Sequence, residues 1–141
     1  MKKVISILFV LIILVVVFLF VQHITVKDQV RTCFQDSRRE IVAWLEERFP
    51  AAFIDGYSRN HIEFRGKNST IPVVIDHLEY RWEERELACR FNNATYTVEF
   101  LMIDTHVPDE AEEVLLRCTL EISFEKDDEW KIHEIQLLNA P

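Results

Sequence analysis

Residues 4–21 read VISILFVLIILVVVFLFV, eighteen residues that carry no charge and include Ser6 as their one weakly polar member. A helix rises about 1.5 Å per residue, so this run covers roughly 27 Å, close to the ~30 Å hydrocarbon thickness of a bilayer. In lipid, a single apolar segment satisfies its own backbone hydrogen bonds only as a helix. The run therefore predicts a transmembrane helix over residues 4–22, which contacts the lipid bilayer through Val4–Val21.

A cleaved signal peptide is the main alternative for this run. Lys2 and Lys3 form a short basic tail, residues 1–3, before it. The run is longer than the ~7–15 apolar residues of a signal peptide, and no small-x-small cleavage pattern follows it. Nor do Val30-Arg31-Thr32, which precede Cys33, resemble the small residues of a lipid-attachment motif. We therefore predict an uncleaved, single-pass signal-anchor in the cell membrane.

The direction of the anchor rests on opposed signals. Two lysines precede the run, whereas Lys27, Arg31, Arg38 and Arg39 follow it closely. A strict count of basic residues would place the C-terminal side in the cytoplasm. A short basic start before a long apolar core is, however, typical of a secretory-type start, and long domains translocate largely regardless of charge. We expect the C-terminal domain to be extracytoplasmic.

The remainder of the chain has the size and composition of one acidic folded domain. Of the 141 residues, about 120 follow the anchor, enough for one hydrophobic core. This part holds 14 lysines and arginines against 24 aspartates and glutamates, a net charge of −10. That charge argues against nucleic acid as a partner and against a domain that lies flat on anionic lipid. Gly56 and Gly66 are the only glycines, so no glycine-rich phosphate loop is present.

Residues 23–49 are predicted to continue the anchor as an amphipathic helix. No proline or glycine interrupts the chain between the two parts, so one helix over Val4–Phe49 is expected, or two halves that bend near Thr25. Pro50 ends it, because the residue before a proline is pushed out of the helical region. An apolar stripe from Val30 to Leu45 recurs at spacings of three and four. The stripe is expected to pack on the domain's own sheet; the alternative is the seam of a homodimer.

Residues 50–141 are predicted to form the sheet part of the same domain, an antiparallel β-meander of four to six strands. Ala51–Ser58 suggests a turn-rich connection, and His61–Phe64 a short strand. Apolar residues then alternate with polar ones, which is the pattern of half-buried strands. The predicted inward rows are Leu78, Tyr80 and Trp82; Leu87, Cys89 and Phe91; Tyr96, Val98, Phe100 and Met102; and Val114, Leu116, Cys118, Leu120, Ile122 and Phe124.

Turns and one irregularity separate these rows. Glu84-Arg85 and Asn92-Asn93 are predicted turns, and Asp104–Glu113 is an acidic loop. Trp130–Leu138 forms the last strand, in which the apolar positions change phase. Since a slip of one residue moves every following side chain to the other face, we predict a β-bulge near His133-Glu134. The fold class is α+β.

The residues with reactive side chains are scattered. Cys33, Cys89 and Cys118 lack the spacing of a zinc or redox motif, so they are buried thiols or include one disulfide, Cys89–Cys118. Asp76-His77 and Asp104-Thr105-His106 each place a carboxylate near an imidazole, but no spacing typical of a metal or catalytic site is present. No catalytic residue, cofactor or metal is therefore predicted.

Two known architectures resemble this arrangement. An apolar N-terminal helix that continues into a helix packed on a sheet resembles a type IV pilin. That family's leader ends in glycine and has a glutamate five residues on, and Met1–Phe20 contains neither residue type. A helix on a curved sheet whose last strand begins Trp130-Lys131-Ile132 resembles membrane-anchored cystatin-like or NTF2-like domains. The second resemblance implies a pocket between the helix and the sheet.

The sequence therefore predicts a membrane-anchored, non-enzymatic interaction or accessory domain of the cell envelope. Its partner would be a membrane or envelope protein. The alternative is a small-ligand-binding or enzymatic domain that uses a pocket between helix and sheet, with Asp76, His77 or His106 in the site.

Overall fold

The fold is α+β, as predicted. A computed structural model describes residues 1–60, 78–105 and 112–140. Three helices come first in these ranges: α1 (Lys2–Asp36), α2 (Arg38–Arg48) and α3 (Pro50–Asn60). Four strands follow: β1 (Leu78–Cys89), β2 (Asn93–Asp104), β3 (Glu113–Lys126) and β4 (Trp130–Asn139).

The four strands form one open antiparallel sheet in the order β1-β2-β3-β4. Each strand pairs with its neighbour in sequence, so the sheet is an antiparallel meander as predicted. The described residues form four strands, the lower limit of the predicted four to six. The predicted strand at His61–Phe64 lies outside the described residues.

α1 is one unbroken helix of 35 residues, exposed along its N-terminal part and buried at Val30 and Phe34. Its N-terminal part is long and apolar enough to span a membrane, and none of the apolar window is buried inside the protein. A core helix of a soluble domain would be covered on at least one side. Thr25 lies within the continuous helix. The break in the predicted long helix falls at Ser37 instead, where α1 gives way to α2.

The hydrophobic core lies between the three helices and one face of the sheet. Val30, Phe34, Ile41 and Leu45, members of the apolar stripe, are all at most 2% exposed. The stripe therefore packs on the domain's own sheet. A homodimer through Val30–Leu45 stays a prediction, and it would require these side chains to leave the core. The sheet contributes the following buried side chains: Leu87, Ala94, Tyr96, Val98, Phe100, Met102, Leu116, Cys118, Leu120, Ile122 and Phe124.

The turn-rich connection predicted for Ala51–Ser58 is wrong, because this segment belongs to α3. Pro50 begins the new helix, where its fixed φ is favourable and its missing N–H is not needed. Gly56 is helical and serves close packing. A Cβ at this position would lie 3.3 Å from Leu78 Cδ1 and from Met102 Sδ. The glycine thus permits a close approach of α3 to the sheet.

The turn predicted at Glu84-Arg85 is also wrong, because β1 continues through it to Cys89. Glu84 pairs with Val98 and Glu86 with Thr97, so Arg85 is the extra residue of a β-bulge. A bulge and a turn both change the phase of the alternation, so the pattern alone does not distinguish them. The rows assigned to two strands belong to one strand of twelve residues.

The predicted irregularity in the last strand is confirmed. Ser123 pairs with Glu134 and Phe124 with Ile132, which leaves His133 as the extra residue of a bulge. The turn predicted at Asn92-Asn93 lies one residue earlier, since β2 already begins at Asn93. Phe91 does not join the inward row: it is 97% exposed in that turn.

Candidate functional site

The junction between α1 and the sheet is the best-defined polar feature of the described residues. Arg31 of α1 donates two hydrogen bonds of 3.0 Å to the carboxylate of Glu84, one from Nε and one from Nη2. Tyr96 Oη donates to the same carboxylate at 2.8 Å. These contacts fasten α1 to the edge strand β1. A bidentate arginine–carboxylate pair also has a narrowly defined geometry.

The opposite side of α1 is fastened to the other edge strand. Gln29 Oε1 accepts a hydrogen bond of 3.2 Å from Trp130 Nε1. Cys33 Sγ donates to the backbone oxygen of Trp130 at 3.2 Å. Gln29 and Cys33 are four residues apart and share one helical side, whereas Arg31 lies on the opposite side. We call these three residues and their partners the helix–sheet clamp, since they tie α1 to β1 and β4 at once.

Aromatic packing supports the clamp from inside. The ring of Phe34 meets Tyr96 edge-on with centroids 4.8 Å apart, and Trp82 edge-on at 5.4 Å. Trp82 in turn stacks at a tilt on Phe100, at 4.6 Å. Edge-to-face pairs of this kind add stabilisation beyond their buried area. The end of the domain nearest the apolar run is therefore held to α1 by polar and apolar contacts together.

The pKa values in the clamp follow from these contacts. The hydrogen bond from Arg31 is the main cause that holds the pKa of Glu84 below its ordinary value; burial opposes it, and the hydrogen bond from Tyr96 adds to it. Burial, together with the hydrogen bond to Glu84, raises the pKa of Tyr96 to about 12. At neutral pH the clamp therefore contains an ionised carboxylate and a neutral phenol.

Disrupting the clamp should weaken the domain measurably. We expect a double-mutant cycle of Arg31→Met and Glu84→Gln to give a coupling free energy of about 1 kcal/mol, because the pair is bidentate but only partly buried. The measurement is chemical unfolding of the full chain in detergent micelles. Arg39→Met, at an exposed position of α2, is the matched control and should change the free energy of unfolding little.

The coupling should also depend on pH. Glu84 has a lowered pKa in the folded state, so its contribution is complete above pH 4.5, the ordinary value for glutamate, and is lost as the pH falls through the folded value. A coupling free energy that stays constant from pH 7 to about pH 2 would contradict this assignment.

The second face of the sheet carries paired charges. Glu99 is central, with a side chain only 12% exposed, and it forms ion pairs with Arg85 of β1 and with Arg117 of β3. Arg81 binds Glu112 at 3.1 Å and Glu79 at 3.3 Å. Since Glu83 stands directly opposite Glu99 in the ladder, the arginines also offset a repulsion between like charges. This face presents an ordered surface of both signs.

An open groove of about 680 Å³ runs along α1 beside the start of β4. Gln29, Cys33 and Trp130 line it, together with acidic side chains such as Asp28 and Glu129. A smaller cleft of about 180 Å³ lies between α1 and the β1 edge, beside Arg31 and Phe34. The groove has the volume of a small-molecule site, whereas the volume of the cleft is smaller than that of such sites.

All three cysteines are free thiols. Cys89 pairs with Ala94 of β2, and Cys118 pairs with Phe100 of the same strand. Six residues along a strand correspond to about 20 Å, far more than the Cα separation of a disulfide. Burial raises the pKa of Cys118 to about 11 and also raises the pKa of Cys89. Both thiols therefore stay protonated near pH 7, which makes them poor nucleophiles.

Asp76, His77 and His106 lie outside the described residues. Within the ranges 1–60, 78–105 and 112–140, no group of three or more His, Cys, Asp or Glu side chains is arranged to hold a metal ion.

Sequence reasoning missed Arg31 and Glu84. Glu84 continues the alternation of Leu78, Tyr80 and Trp82, so its parity places it on the helix-facing side of β1. A charged residue on an inward row needs a partner, and this signal was available in the sequence. No protein-family model matches this chain, and no curated protein or solved structure matches it either.

Proposed function

We propose that this protein is a single-pass membrane protein that holds a non-enzymatic interaction domain at a fixed height and orientation on the membrane surface. One observation carries the proposal: the helix that exposes Val4–Val21 is the same unbroken helix that buries Val30 and Phe34 in the domain core. A flexible linker would let the domain swing, whereas a continuous helix transmits its direction.

The clamp strengthens this argument. α1 is tied to both edges of the sheet, through Arg31 on one side and through Gln29 and Cys33 on the other. The start of the clamp at Gln29 lies eight residues beyond Val21, or about 12 Å along the helix. The domain would therefore stand next to the lipid headgroups with little freedom to tilt relative to its anchor.

The partner we propose is a membrane or envelope protein that binds the second face of the sheet. This face lies opposite the helices, and Arg117 on it is 64% exposed. Its charges are of both signs and already paired, which favours a protein surface of mixed charge over a polyanion. The net negative charge of the domain likewise argues against a nucleic-acid partner.

Site-specific photocrosslinking in intact cells tests this partner. A photoreactive amino acid at Arg117 is expected to give a discrete adduct with a membrane protein. The same amino acid at Glu47, an exposed position on α2, is the matched control and should give none. Adducts at position 47 alone would assign the interface to the helices. Adducts at neither position would overturn the interaction proposal.

The extracytoplasmic placement of the domain is part of the proposal. The short basic start before a long apolar run supports it, while the basic residues beyond the run oppose it. Protease added to intact cells should remove the domain. A domain that is digested only after lysis would reverse the orientation and leave the anchored interaction domain unchanged.

The groove beside β4 favours a second candidate, small-ligand binding by a cystatin-like or NTF2-like domain. Its volume of about 680 Å³ is that of a small-molecule site, and Trp130 provides an aromatic wall. A ligand found in a thermal-shift screen of the full chain should lose its effect in Trp130→Ala. The enzymatic version with Asp76, His77 or His106 stays a prediction.

A further inference from the structure

The tip of the β1–β2 hairpin, residues 90–92, carries the most exposed aromatic side chain among the large exposed apolar residues of the described chain. Phe91 is 97% exposed, although the strands on either side of it bury their inward rows in the core. A single exposed apolar residue is ordinary on a protein surface. Phe91 is informative because of its position relative to the proposed anchor.

The hairpin tip lies beside the end of the proposed membrane span. A cleft of about 570 Å³ separates the two: Leu19, Gln22 and His23 form one wall, and Arg90 and Phe91 belong to the other. Leu19 is inside the apolar run Val4–Val21, about 3 Å along the helix from its end. The tip therefore lies at the depth where the hydrocarbon gives way to the headgroups.

The tip is held in place by its own backbone. Arg90 N–H donates to Asn93 O at 2.8 Å, which closes the hairpin. Lys126 N–H donates to Asn92 O at 2.9 Å, which ties this tip to the β3–β4 turn. A tip that is already ordered loses little conformational entropy when it makes a new contact.

The charges around Phe91 suit a headgroup layer. Arg90 and Lys126 line the cleft with it, and Asp127 opposes them. An aromatic residue next to basic side chains is typical of the membrane–water interface, where the ring is buried and the cations meet phosphate.

We propose that residues 90–92 form a second membrane contact: Phe91 enters the interfacial region of the bilayer that Val4–Val21 spans, and Arg90 and Lys126 lie at the level of its phosphates. This contact rests on the proposed membrane anchor. The contact lies away from the axis of α1. Together with the helix–sheet clamp, it therefore fixes the tilt of the domain relative to the bilayer.

Quenching by lipid measures the contact directly. The full chain with Phe91→Trp is reconstituted in phosphatidylcholine vesicles whose acyl chains either carry bromine or do not, and the emission of the wild-type chain is subtracted. Bromination is expected to quench the added emission. Leu138→Trp, an exposed position near the end of β4, is the matched control, and its added emission should be the same in both vesicles.

Extraction at alkaline pH separates the two ways in which the experiment fails. If the chain stays in the vesicles after a carbonate wash and the Phe91→Trp emission is not quenched, the hairpin contact is wrong and the anchor stands. If the wash releases the chain, the anchor is wrong, and the contact that depends on it falls as well. Equal quenching at positions 91 and 138 would also overturn the contact, because it would not be confined to the hairpin.

Discussion

Replacement of Phe100 by alanine is expected to lower the free energy of unfolding by about 3–5 kcal/mol, the range for large aromatic side chains removed from a core. Phe100 is 0% exposed at the centre of β2, and its ring centroid lies 4.6 Å from Trp82 and 5.7 Å from Tyr80. Truncation removes these contacts and leaves a cavity under the helices. Chemical unfolding of the full chain in detergent micelles, followed by near-ultraviolet circular dichroism, measures the change.

Phe91→Ala is the matched control for this substitution. It deletes the same atoms at a position that is 97% exposed, so the free energy of unfolding in micelles should stay within about 0.5 kcal/mol of the parent. Similar losses for the two variants would contradict a core centred on β2. Because Phe91 is proposed to contact lipid rather than protein, its substitution should leave the packing of the domain unchanged.

The paired substitution Leu11→Arg and Leu14→Arg is expected to abolish stable membrane insertion. Both positions lie in the middle of Val4–Val21 and are more than half exposed, so no protein surface shields them. An arginine at the centre of a spanning helix costs about 2.5–3.5 kcal/mol on an insertion scale, which gives roughly 5–7 kcal/mol for two. The fraction of the chain that resists carbonate extraction should fall to near zero.

Val4→Arg with Gln22→Arg is the control, since it adds the same charge at the two ends of the run. Long arginine side chains at these ends can reach the headgroups, so insertion should persist. If the central pair resists extraction as well as the terminal pair does, the apolar run does not cross a bilayer. A secretory signal peptide would instead appear as a shortened chain that lacks these residues.

The two experiments probe separate parts of the protein, the apolar run of α1 and the core of the domain. The arginine pair leaves Val30, Phe34 and the helix–sheet clamp intact, so the near-ultraviolet signal of the released chain should match the parent. Phe100→Ala leaves the apolar run intact, so the destabilised chain should remain in the membrane. Opposite outcomes in either case would mean that anchor and domain depend on each other more than the contacts indicate.

Local patterning accounted for most of the fold. The alternation along β3 identified a strand whose inward residues are all buried from Leu116 to Phe124. The change of phase in β4 located the bulge at His133. These predictions succeeded because the burial of alternate residues is visible within a single strand and needs no knowledge of its neighbours.

Where a position's role depended on distant residues, prediction failed. Asp55-Gly56 suggested a turn, but Gly56 lies within α3, where its missing side chain lets the helix approach Leu78 and Met102 closely. Glu84-Arg85 also suggested a turn, but pairing with β2 carries β1 straight through the two residues. In both cases a local preference of the backbone was outweighed by contacts with residues far away in sequence.

The residues that the sequence indicated for a site differ from those that the structure brings together. The sequence pointed to Asp76, His77 and His106, which lie outside the described residues. It did not point to Arg31 and Glu84, 53 residues apart, although they form a bidentate ion pair between α1 and the sheet. The parity of Glu84 on the inward row of β1 indicated that its charge needed a partner, but nothing in the sequence identified Arg31 as that partner, so the fold had to bring the two together before the pair could be identified.

By itself, the sequence determined that the chain begins with an apolar helix able to span a bilayer and continues into an acidic α+β domain, since hydrophobic length, period and charge are local properties. Only the tertiary structure decided how the two are joined. Arg31 contacts Glu84 on one edge strand and Cys33 contacts Trp130 on the other, which places Phe91 across a cleft from Leu19. These contacts join residues remote in sequence, and the physical reason is that burial of Val30 and Phe34 on the sheet sets the position of the whole anchor helix.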